Sequence, residues 1–277
     1  MQSKQIGHID WVDGAKGVAI ISVFLLHSLP CLREVGCLLH IGQAVPIFLF
    51  VSSYLASVHY MSFKQYYTIS RIRTMFYRVF VPFAIILGVQ VAVQCVSGDC
   101  RSWQSILAYG GIGPGSYYVW LYIQVWFLLP LIIELVNRIP IGLSLIVMLI
   151  VSVVCEYVFV LLEGVEHVEK IYRLVPVRYL MVLYAGCVWP QVIGKLKSLF
   201  IILAAISGVL MLLDVYNADY QCVITPPYWN GYHWFSGFYV LLLIILFQKI
   251  SFPEMLKMAG KYSWQLFLLQ MMCFGFN

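Results

Sequence analysis

The chain has 277 residues, of which 62% are hydrophobic and only 10% charged, with a formal net charge of +5 and a mean hydropathy of +0.89. An ordinary soluble domain carries about 25% charged residues, and no single water-soluble core hides this much apolar surface. A soluble enzyme, a disordered chain and a disulfide-stapled secreted domain are therefore excluded; the basic residues are scattered, which argues against nucleic acid as a partner, and a polytopic protein partnered by the lipid bilayer remains.

A helical span uses about 20 residues. In chain order, spans are predicted near 15–31, 43–61, 79–97, 117–136, 141–162, 173–190, 198–216, 233–249 and 261–277. The runs are continuously apolar and do not alternate, so helices are expected and not a barrel. Proline falls at or near many predicted ends, at Pro30, Pro82, Pro130, Pro140, Pro176, Pro190 and Pro253, where its missing N–H costs least. The expected fold is all-α, a transmembrane bundle of about nine to ten spans forming one membrane-embedded domain over residues 1–277. The first apolar run passes Leu29 without a small-residue cleavage site, so it reads as a retained span.

The breaks alternate in basic content. One set carries Lys4, then Lys64, Arg71, Arg73 and Arg78, then Arg138, then Lys195 and Lys197, then Lys249 and Lys257; the other carries Arg33, Arg101, Lys170 and Arg173. The richer set is predicted to be cytoplasmic, which puts the N-terminus inside. Eight cysteines occur without paired Cys-x-x-Cys or zinc-like spacing, so no metal site is expected. Cys31, Cys37, Cys95, Cys100 and Cys222 fall toward the outer side, where disulfides can form.

Polar groups inside an apolar span are costly and mark candidate functional positions. The first span holds Asp13, Lys16, His27 and Ser28. Lys16 and His27 are eleven residues apart, about three turns plus ~20°, so they share one helix face with their Cα atoms roughly 16 Å apart. Asp13 lies one turn before Lys16 and can pair with it. Lys16 reads either as a snorkelling helix end or as a ligand cation. His27 reads either as a packed imidazole or as a general base. Glu156 and Asp214 sit near outer span ends and are expected to line a common cavity. The segment from Asn217 to Trp234, with Asp219, Tyr220, Tyr228, Trp229 and Asn230, reads either as a sugar-stacking surface or as an interfacial aromatic belt.

These residues carry a resemblance. Asp13, Lys16, Gly17 and His27 resemble the first span of the acyltransferase family 3 membrane proteins, in which an acid, a base followed by Gly, and a His eleven residues beyond the base recur. The stretch Val45-Pro46-Ile47-Phe48 through Ser52-Ser53-Tyr54-Leu55 is similar to that family's second segment, with Ser53 where Gly is usual. Arg71, Arg73 and Arg78 running into Pro82 resemble its Arg-rich cytoplasmic stretch. Looser similarity follows from Trp120 through Gln124 to Pro130, from Arg178 and Tyr179 to Gly186, and from Gly260 through Ser263 to Gln270, where Phe267 and Gln270 replace Tyr and His. The family pattern carries one more helix than is read here.

The resemblance implies an O-acyltransferase, in a bacterial cytoplasmic membrane, moving an acyl group, commonly acetyl, from cytoplasmic acyl-CoA to a hydroxyl of a surface or exopolysaccharide sugar. Acyl-CoA is then a co-substrate, and no permanently bound cofactor is implied. His27 would be the general base; Ser28 as an acylated nucleophile ranks below it, because adjacent helix positions do not face each other. Lys16, Arg71, Arg73 and Arg78 would hold the donor phosphates, although on charge alone the arginines read as a positive-inside cluster. Ser52, Ser53, Tyr54, Trp120 and Gln124 are candidate donors to the oxyanion. A transporter or flippase, or a non-catalytic assembly or sensor protein, is the competing expectation. A transporter predicts internal repeats with paired broken helices, and no repeat is visible in the sequence.

Overall fold

The computed structural model describes residues 9–29, 31, 37–60, 62–97, 106, 108, 110–113, 115–192, 194–216, 224 and 233–274. Within them every regular element is a helix. The chain begins with α1 (Asp10–Ser28), makes two 3-10 turns at Cys37–Leu39 and Ile41–Gln43, and enters α2 (Ala44–Val58). After the single turn α3 (Phe63–Tyr66), α4 (Ile69–Met75) passes through a π-helical turn at Phe76–Phe80 into α5 (Val81–Ser97). Then come α6 (Tyr117–Arg138), α7 (Ile141–Leu161), α8 (Val168–Leu174), α9 (Leu180–Val188), α10 (Lys195–Tyr216), α11 (Val240–Phe247), α12 (Glu254–Lys261) and α13 (Ser263–Phe274).

Among the described residues, seven helical runs are long and apolar enough to cross a membrane: Asp10–Ser28, Ile41–Val58, Ile69–Val96, Tyr117–Arg138, Ile141–Leu161, Val168–Gln191 and Lys195–Tyr216. Each of the nine predicted segments contains helix, so the all-α multi-pass bundle stands. Among their described residues, the last two segments hold the helical runs Ser236–Phe247 and α13. Each rises about 18 Å, short of the roughly 30 Å hydrocarbon core.

The structure departs from the expected spans in three places. The third helical run starts at Ile69, ahead of the predicted residue 79, and the π turn lies immediately before Pro82. A proline ring clashes with the carbonyl four residues earlier, here that of Arg78, and the wider turn makes room for it. Pro130 lies inside α6, not at its end. The sixth span is broken: α8 ends at Leu174, Val175 is extended, and a 3-10 turn at Val177–Tyr179 precedes α9. A broken backbone in lipid must find partners inside the protein. The Gln124 amide supplies one, donating to the Leu174 carbonyl at 2.6 Å.

Small residues set the two tightest crossings. A Cβ on Gly260 of α12 would lie 1.8 Å from the Asp13 carbonyl oxygen, and one on Gly17 of α1 would lie 2.0 Å from that of Leu256. Backbone therefore meets backbone here, and α12 is held against the first two turns of α1. Across α2 and α9, Gly186 faces the Ser53 hydroxyl, which donates to Leu49 and Phe50 on its own helix. Beside it, the Ser57 hydroxyl donates to the Cys187 carbonyl at 2.7 Å.

The same contacts sort the ends of the bundle. Trp11 on α1 packs on Tyr54 near the end of α2 at 5.3 Å, Tyr60 donates to Glu134 near the end of α6, and Gln191 donates to Asn137. Lys16, Arg138 and Lys257 thus belong to one end, and His27, at the last turn of α1, points along that helix toward the other. Cys31 and Cys95 are free thiols. Cys100 and Cys222, and Asn217 to Tyr232 apart from Ile224, lie outside the described residues.

Candidate active site

A cavity of about 550 Å³ opens between α1, α2, the π turn, α6 and α13, and three cations border it: Lys16, Arg78 and Lys261. Lys16 is held by its ion pair with Asp13 at 2.6 Å, the partner expected from i, i+3 spacing. Lys261 ends α12, so the glycine crossing with α1 is what brings it beside Lys16. Ser52, Ser263 and Gln265 add polar lining, and Val23, Phe48, Tyr118, Tyr122, Trp264 and Phe267 add apolar lining. The volume lies within the usual range for ligand pockets, which combine apolar walls with a few convergent polar groups.

Lys16 and Val23 both line this space. Val23 is two turns beyond Lys16 on the same face, and His27 is one turn further along it, about 6 Å of rise. His27 is half-buried and does not border the cavity itself; it sits on the continuation of the cavity-facing stripe, beyond the end away from Lys16.

The four expected donor cations are not brought together. Arg78, in the π turn, borders the cavity. Arg71 lies instead over the Tyr66 ring at 5.8 Å and Arg73 over the Tyr77 ring at 5.6 Å, and no residue of α4 is buried. An unbroken 3.6-residue helix would stack Arg71 and Arg78 on one face; the π turn between them changes that register. Tyr66, beneath Arg71, is mostly buried outside the spans, and burial pushes its hydroxyl pKa up.

The expected oxyanion donors also separate. Ser52 borders the cavity. Gln124 commits its amide N–H groups to the Trp120 and Leu174 carbonyls, at 3.1 and 2.6 Å. That pins the broken span and leaves no N–H for a reacting oxygen. Tyr54 packs between Trp11 and Phe50, Trp120 meets the Phe83 ring edge-on at 6.2 Å, and Ser53 is fully buried at the α2–α9 crossing.

Neither Glu156 nor Asp214 borders this cavity. Glu156 is fully buried and accepts the Tyr172 hydroxyl at 2.8 Å; Arg178, a close electrostatic neighbour, is enclosed by the rings of Tyr117, Tyr172 and Tyr179. Asp214 faces the buried His233 imidazole at 3.7 Å.

Sequence reasoning missed Lys261, the aromatic wall and the clamp behind it. Gln90 is fully buried; its amide donates to the carbonyls of Ile112 and Met271 at 2.9 and 3.1 Å, and its oxygen accepts the Ile112 N–H at 3.0 Å. A Gln within a strongly apolar run was the available signal. For Lys261 it was the position directly after the Gly of a short cationic helix.

A family model described as an acyltransferase domain, of acyltransferase family 3, matches residues 9–276. No curated protein and no solved structure matches the chain.

Proposed function

The chain belongs to the acyltransferase 3 family and is a multi-pass membrane acyltransferase; from that premise we propose that it transfers an acetyl group from cytoplasmic acyl-CoA to a hydroxyl of a cell-surface sugar. The observation that carries the donor half is the cavity that begins at Lys16, Arg78 and Lys261 and runs toward the level of His27. Its three cations suit the phosphates of the donor, and the apolar length beyond them suits an extended pantetheine arm.

In the proposed reaction, the His27 imidazole takes the proton of the sugar hydroxyl as that oxygen attacks the thioester carbonyl. The tetrahedral intermediate collapses, the carbon–sulfur bond breaks, and the leaving thiolate takes the proton back from His27. Charge on the carbonyl oxygen needs a donor; Ser52 borders the cavity but lies on α2 beside the Trp11–Tyr54 contact, at the Lys16 end and well short of His27. A bacterial cytoplasmic membrane is the location this chemistry calls for, because the donor is cytoplasmic and the acceptor is a surface glycan.

Mass spectrometry of surface glycans from a deletion strain complemented with wild type or His27→Ala tests the reading. Acetylation restored by wild type and absent with His27→Ala, at equal protein level, is the expected result. Wild-type-like acetylation with His27→Ala removes the base from the mechanism, and an unaltered glycan in the deletion strain removes the acceptor.

A further inference from the structure

Resting on the acyl-donor reading above, we propose that Phe48, Tyr118 and Phe267 form a gauge that restricts the donor to short acyl chains. The cavity is graded. The cations Lys16, Arg78 and Lys261 and the apolar Val23, Val45, Phe48, Tyr118 and Phe267 all border it, and the rise of two of its helices orders them. Along α1, Val23 is about 10 Å of rise beyond Lys16, and along α13, Phe267 is about 6 Å beyond Ser263. A donor whose phosphates rest on the cations therefore directs its thioester end toward the aromatic part.

One wall of that part is built of rings in mutual contact. Tyr118 meets Phe267 in a T-shaped pair at 5.3 Å and meets Phe48 at 6.2 Å. Trp264 stacks on Phe267 at 5.7 Å. Centroid separations of this size leave no chain-wide gap between rings. Tyr118 and Phe267 are each only 6% exposed, so what they present is a surface and not a mobile flap.

The wall is also backed. Gly115 holds a left-handed backbone, φ +80°, and a Cβ there would stand 3.3 Å from the Phe267 ring. The loop containing Gly115 is fixed at Ile112 by Gln90, and the same amide binds the carbonyl of Met271, one turn beyond Phe267 on α13. Ring and backing are thus tied to one buried side chain. Close-packed interiors resist the insertion of even one methylene. An acetyl methyl fits against such a wall, and each further methylene must displace a ring that has backbone behind it.

The test uses purified full-length protein in lipid nanodiscs with radiolabelled acetyl-CoA as the probe. Free CoA and acyl-CoAs of two, four and six carbons serve as competitors. Wild type is expected to prefer acetyl-CoA to hexanoyl-CoA by about tenfold or more, the scale on which a pocket reads added methylenes. Tyr118→Ala and the milder Phe267→Leu are expected to narrow that ratio, read within each protein so that a general loss of affinity cancels. A wild type that binds two-, four- and six-carbon donors alike, or prefers the longest, overturns the gauge while the donor reading stands. A wild type that binds neither free CoA nor any acyl-CoA overturns the donor reading and the gauge with it.

Discussion

Two regions of this bundle place charge among apolar helices, and they do so in opposite ways. Around Lys16, Arg78 and Lys261 the charges border open space. Around Arg178 the charge is walled in: the residue is 1% exposed, three tyrosine rings lie within 6.0 Å of its guanidinium carbon, and Glu156 is buried nearby with a tyrosine hydroxyl on its carboxylate. A polar residue in a membrane span is thus not by itself a site residue. Open charge can exchange its partner for a ligand, whereas enclosed charge is bound to its own fold.

The comparison breaks most readily at Arg178. Removing one member of a buried charged group leaves the rest uncompensated, so Arg178→Ala should lower unfolding stability by about 3 kcal/mol or more. Thermal unfolding in detergent checks this, and an unshifted transition would merge the two regions into one class. Next in size is Gln90→Leu, which strands the backbone groups of Ile112 and Met271 away from water. A loss of about 1–3 kcal/mol is expected, together with a weaker preference for short donors because the Phe267 wall loses its backing.

Smaller effects on folding, and larger ones on ligand, belong to the open region. Arg78→Gln should weaken acetyl-CoA binding by about tenfold, the scale of one charge-assisted contact, while leaving the unfolding transition nearly in place. Arg73→Gln should change donor affinity least, because Arg73 lies over the Tyr77 ring away from the cavity. Donor affinities that fall equally in the two variants would restore the convergence of arginines expected from the sequence.

Much of this architecture is legible in the residues alone. Continuous apolar runs give the helical spans, and the eleven-residue spacing puts Lys16 and His27 on one stripe with Asp13 paired to Lys16, as found. What the sequence hides is long-range. An ideal helix would stack Arg71 and Arg78 on one face; the π turn ahead of Pro82 breaks that register, and Arg73, two residues from Arg71, faces away from it in either case. Gln124 reads as a free polar donor until the broken span at Leu174 shows which carbonyl it serves. Lys261 becomes a neighbour of Lys16 only because Gly17 and Gly260 let two backbones touch. Periodicity carries information about a helix face, not about which other helix that face meets.

The most direct test is binding of radiolabelled acetyl-CoA, at several salt concentrations, to wild type and to the double variant Arg78→Gln, Lys261→Gln. Wild-type affinity should fall as salt rises, because phosphate contacts are screened, and the double variant should bind on the order of a hundredfold more weakly with a flatter salt response. Equal affinity and equal salt dependence in the two proteins would contradict the assignment of the open cavity to the acyl donor.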